Sequence, residues 1–182
     1  MSQGGLGSNA IAKWVKTMTT IMNSSIYLPV PRLIQPQTWA CWYTSLQMVV
    51  RYYRQRGQGF GLTDPSEDPE TQGIYRANQG IGGGPVIGGR EERERIARKL
   101  GFTVGFVSLT NDGMWQMLNR GPVIYTGKWP GQLSGHWVVI VGISANTLAI
   151  NNPAVGLQSW DYNYFMGQYL KQTADRPLVY VE

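Results

Sequence analysis

Between Cys41 and Arg54 apolar side chains recur at Trp42, Leu46, Val49 and Tyr53, while Gln47 and Arg51 fall off that stripe. This spacing predicts a helix with one buried face, ended by Gly57, Gly59 and Gly61. The same period runs from Asn9 to Asn23 through Ile11, Trp14, Val15, Met18, Ile21 and Met22. There, Lys13 and Lys16 break any long apolar run, so an amphipathic helix packed on the domain is expected rather than a signal peptide or membrane span. Pro29 and Pro31 keep residues 26–34 extended. Residues 57–90, rich in glycine and proline turns, are expected to hold the least regular structure. Arg90–Leu100 then reads as a helix closed by Gly101, and Asp112 is placed to cap a short helix through Arg120, closed by Gly121.

The second half of the chain changes period. Thr103–Leu109, Pro122–Tyr125, His136–Ile143, Thr147–Asn151 and Leu178–Val181 read as strands, separated by turn residues at Gly131, Gly135, Asn146 and Asn152-Pro153. Helices first and strands second imply an α+β fold with a largely antiparallel sheet. No internal repeat or domain boundary is visible. Residues 1–25 are expected to be an N-terminal segment with its amphipathic helix, and residues 26–182 a single domain.

A length of 182 residues, with 42% apolar and 12% aromatic content, suits one packed globule. The single cysteine excludes an intramolecular disulfide. One cysteine and one histidine are also too few for a structural zinc site, so no metal or other cofactor is expected. The formal charge of +5 raises the question of nucleic acid. Its carriers are dispersed, however: Arg51, Arg54 and Arg56 follow one helix, and Arg90–Lys99 alternates with glutamates. That is the pattern of solvated helix faces, and no nucleic-acid partner or stable membrane insertion is expected.

The lone cysteine and lone histidine are the candidate chemistry. Cys41 opens the predicted helix, in Gln35-Pro-Gln-Thr-Trp-Ala-Cys41-Trp42, where Ser, Thr or Asp would ordinarily cap. A helix N-terminus and a neighbouring imidazolium both lower a thiol pKa, and only the thiolate is a strong nucleophile. His136 heads an apolar strand after Gly135. A glutamine amide can donate to a developing oxyanion, and both Gln35 and Gln37 lie near enough in sequence.

Taken together, Gln-x5-Cys-Trp at a helix start, Gly-His-x-Val-Val-x-x-Gly over 135–142, and a following strand ending in Asn151-Asn152-Pro153 resemble the papain-like cysteine peptidases. The likeness covers roughly residues 28–155 and is greatest to the compact bacterial branch of effector proteases and bacteriocin-exporter peptidase domains. It implies a papain-like fold, with the nucleophile helix packed on a C-terminal sheet. Cys41 would be the nucleophile, His136 the base and then the acid, and Gln35, six before the cysteine, the oxyanion donor. Asn152, immediately before proline, would orient the imidazole. Relatives of this branch usually carry Asp there, so the orienter is a neutral amide. Asn151 is the rival, and strand alternation allows only one of the two to face His136.

The resemblance further implies a cysteine endopeptidase acting on protein or peptide substrates through an acyl-enzyme. A bacterial toxin or effector is expected, exported without a cleaved signal peptide, active in a target cell's cytoplasm and held in check by a cognate inhibitor or immunity protein. Two other uses of this scaffold are open: a peptidoglycan amidase or transglutaminase-like acyl transferase, and an inactive peptide-binding module. Cell-wall amidases typically show Asp-Cys-Ser where this chain has Ala-Cys-Trp. Gly80–Gly84 lacks the strand and Lys-Ser/Thr of a phosphate loop and is expected to border the cleft. The pairs Gly83-Gly84 and Gly88-Gly89 raise self-cleavage, since bacteriocin-processing relatives cut after double glycine. Trp42 and Trp137 would shield the Cys–His pair, and Trp129-Pro130 would line the groove.

Overall fold

The computed structural model describes residues 25–79, 90–105, 110–128, 135–169 and 178–182. In chain order its elements are β1 (Ser25–Tyr27), α1 (Cys41–Arg54), α2 (Pro69–Gln79), α3 (Arg90–Lys99), β2 (Thr103–Gly105), α4 (Asn111–Arg120), β3 (Val123–Lys128), β4 (Gly135–Ser144), β5 (Thr147–Asn152), β6 (Gly156–Asp161), α5 (Tyr162–Tyr169) and β7 (Leu178–Tyr180). The strands form one sheet ordered β2-β7-β3-β4-β5-β6, with β1 also paired to β4, and every pairing is antiparallel. The fold is α+β. Among the described residues no helix is long and apolar enough to cross a membrane.

Strand β4 is buried on both faces, which is why its sequence reads as a continuous apolar run rather than an alternation. Trp137, Val139 and Val141 join one core cluster with α1 and with Ile96, Ala97 and Leu100 around α3. Val138, Ile140 and Ile143 join the other, with Leu148 and Ile150 of β5, Met114 and Leu118 of α4, and Phe165 of α5. A register shift between Ile140 and Gly142 interrupts the β4–β5 ladder. Gly142 has a clear reason: a Cβ there would stand 2.6 Å from the Ile26 carbonyl oxygen of β1. The final glycine of the Gly-His-x-Val-Val-x-x-Gly run is therefore where β1 pairs closely alongside β4.

Three expectations need correction. Residues 57–90 are not without structure, because α2 occupies Pro69–Gln79. Asp68 accepts from the Thr71 N–H at 2.8 Å and from its hydroxyl at 2.6 Å, and Pro69 takes the first helical position, where no N–H is needed. Tyr75 then packs on Tyr43 of α1, with ring centroids 4.3 Å apart. Second, the cap of α4 is Thr110, whose hydroxyl accepts from the Gly113 N–H at 3.1 Å. Asp112 lies within the first turn instead, where its charge meets the positive end of the helix. Third, β6 and α5 were not expected. In β6 the inner positions are Gly156, Gln158 and Trp160, with Leu157 turned outward, so no apolar alternation marks the strand. The expected helix at 9–23, the glycine pairs at 83–84 and 88–89, residues 106–109 and Trp129-Pro130 lie outside the described residues.

Candidate active site

Helix α1 begins at Cys41, with Ala40 as its N-cap and no side-chain cap bond. No carboxylate lies in the first turn, so its backbone N–H groups have no acidic side chain to satisfy them. Backbone groups of Cys41, Trp42 and Trp137 near the sulfur pull its pKa down. Burial acts more strongly in the opposite direction. Cys41 is only 6% exposed, and desolvation leaves its pKa above the ordinary value near 9. The expected thiolate is thus met in part. The helix amides are in place, but the resting group is a thiol.

Trp137 is the residue after His136, and its backbone lies near enough to the sulfur to lower its pKa, so the head of β4 adjoins the start of α1. His136 is 6% exposed, and burial lowers its pKa below the ordinary 6.5, opposed by a bond to Asn152. That bond is short: His136 Nε2 lies 2.8 Å from Asn152 Oδ1. The ring therefore meets Asn152 on its Nε2 edge, and exchange of a proton with the thiol would use Nδ1.

Asn152 ends β5 and is 3% exposed. Its Oδ1 also accepts from the Ala154 N–H at 2.9 Å, the bond of an Asx turn around Pro153. Turn former and histidine partner are one residue here. Asn151 turns the other way, donating to the Val30 carbonyl at 3.2 Å and tying the Leu-Pro-Val-Pro segment to the sheet. Gln35 is held beside the Asn-Pro turn, since its N–H donates to the Pro153 carbonyl at 2.8 Å. Its side-chain oxygen is buried without a hydrogen-bond partner among the described residues. Gln37 is exposed and supplies its carbonyl to the Ala40 N–H, a turn contact leading into α1. Trp42 and Trp137 are both buried, one on each element that carries a candidate residue.

One neighbour of the site escaped the sequence. Gln158 of β6 accepts from Asn152 Nδ2 at 2.9 Å. Its only signal was position: six residues after Asn152, across a tight turn, in a strand with no apolar period to announce it.

A model of the family described as papain-like cysteine protease AvrRpt2 matches residues 24–169, most of the chain. The chain belongs to this family. As a cysteine protease it hydrolyses peptide bonds. Among solved structures, a C39-like peptidase from Bacillus anthracis is 14% identical, with a TM-score of 0.61 over 88% of this chain and 98% of that one. The peptidase domain of Streptococcus ComA, a bifunctional ABC transporter, is 15% identical, with a TM-score of 0.52 over 83% and 98%. At those identities the likeness establishes the shared fold of the protease. A search of curated proteins by sequence gave no match.

Chemically, Cys41 and His136 are both buried, and burial favours the neutral thiol and the neutral imidazole.

Proposed function

We infer that this protease is a cysteine endopeptidase working through Cys41, His136 and Asn152. Cys41 Sγ attacks the substrate carbonyl carbon while His136 Nδ1 takes the thiol proton. Gln35 Nε2 and the first-turn N–H groups of α1 stabilise the oxyanion. His136 then gives its proton to the departing amine, the C–N bond breaks, and water hydrolyses the acyl-enzyme by the reverse roles. The observation that carries this reading is the 2.8 Å bond between His136 Nε2 and Asn152 Oδ1, beside a sulfur that the Trp137 backbone contacts.

The same reading extends to biology. The family, described by the name AvrRpt2, supports a bacterial effector that cleaves proteins of a target cell. A protein of that kind needs a cognate inhibitor in the cell that makes it. Expression in bacterial cytoplasm tests both points. The intact protein is expected to suppress growth, and Cys41→Ala to leave growth unaffected at equal protein level. Equal growth with both forms would contradict the effector role.

A further inference from the structure

The amide of Asn152 makes three hydrogen bonds: Oδ1 to His136 Nε2 at 2.8 Å, Oδ1 from the Ala154 N–H at 2.9 Å, and Nδ2 to Gln158 Oε1 at 2.9 Å. The backbone N–H of Ala154 can only donate, so the Asn152 atom facing it is oxygen. The amide nitrogen is then the atom facing Gln158, which must present its own oxygen. On the other side, an oxygen that cannot donate faces His136, so Nε2 carries the ring proton. In a neutral imidazole the unprotonated nitrogen is then Nδ1, the one that must accept the thiol proton.

We propose that Gln158 is a positioning residue that, together with the Ala154 N–H, holds Asn152 in the orientation that fixes the tautomer of His136. This deepens the Cys-His-Asn reading and rests on it. The reason lies in the neutral third member. A carboxylate at position 152 would present two equivalent acceptors, and either orientation would serve the imidazole. An amide has one acceptor and one donor of nearly equal shape. Turned over, it would face His136 with N–H, demand a proton-free Nε2, and leave the proton on Nδ1. The donor-only Ala154 N–H requires the correct orientation, and Gln158 accepts from the Nδ2 that this orientation presents and holds the amide plane. The hairpin delivers it there. Gly156, at φ +91°, lies opposite Asn152 and lets the chain reverse, and Gln158 returns opposite Ile150.

The test uses Gln158→Met, which keeps the length and removes the acceptor, and Gln158→Glu, which keeps an acceptor. With fluorescently labelled casein as the probe, Gln158→Met is expected to lower kcat about tenfold, with KM little changed. Gln158→Glu is expected to restore kcat and move the acidic limb of the pH profile upward, because a carboxylate near the ring favours imidazolium. His136 is the sole histidine, so ring ¹⁵N spectra report its tautomer directly. Nε2–H is expected in the intact protein, and a mixture with Nδ1–H in Gln158→Met. Unchanged kcat and tautomer in Gln158→Met would overturn the proposal. So would equal losses of kcat and thermal stability in both variants, which a merely structural residue would give. The tautomer is read without turnover. Failure of the intact protein to cleave any substrate would count against the peptidase reading while leaving the Gln158 question decided by the spectra.

Discussion

At Cys41 two influences oppose each other: backbone hydrogen bonds favour the thiolate, and burial favours the thiol. Burial also keeps the His136 imidazole neutral. On the proposed Cys41–His136 mechanism the active form is the neutral pair, and the pH profile of kcat/KM follows. Activity rises as His136 loses its proton, with an acidic limb below pH 6.5, because only the neutral ring accepts from the thiol. It falls as free thiolate forms and no proton remains for the leaving amine, with an alkaline limb above pH 9. A steady-state profile with an alkaline limb near the histidine range would instead reveal a resting ion pair. The placement of Cys41 at a helix start and of His136 at the head of an apolar strand was legible because each stands in a distinctive local run. The partition of Asn151 and Asn152 between anchoring Val30 and bonding His136 follows the strand alternation. The balance of burial against helix amides was not legible, since desolvation comes from segments distant in sequence.

At the scale of elements, α1 emerged with the ends its apolar stripe and glycines marked, whereas α2 did not emerge at all. Its signals were local and polar, Asp68 before Pro69 with Thr71 following, and surrounding glycines masked them. Its hold on the fold is also largely polar. Lys99 of α3 lies 2.9 Å from Asp68 and 2.6 Å from Glu70, and Arg54 of α1 meets Glu67. Bonds to Thr71, then to Lys99, lower the Asp68 pKa from 3.8 to about 2. Its stabilising contribution is therefore present above pH 3.8 and lost as pH falls through about 2. Asp68→Ala is expected to cost about 1 kcal/mol at pH 7, the usual worth of an N-cap. Urea midpoints of the two proteins should differ at pH 7 and converge near pH 2. Strand β6 escaped for a related reason: its inner face presents Gly156, Gln158 and Trp160, and the polar member among them is the one that bonds Asn152.

Across the whole molecule, the site stands where three separated segments meet: the start of α1, the head of β4 and the end of β5. Helices cover both faces of the sheet, leaving β4 buried and able to fix His136 against Asn152. Motif order along the chain indicated this convergence, but no spacing in the sequence encodes the hairpin that returns Gln158 to Asn152. The central claim is peptide-bond hydrolysis by Cys41, and the most direct measurement is a comparison of protein termini. Purified protein and its Cys41→Ala variant are each incubated with a mixture of cellular proteins, and new N-termini are identified by mass spectrometry. New termini are expected with the intact protein and none with Cys41→Ala. The same termini from both would contradict the account.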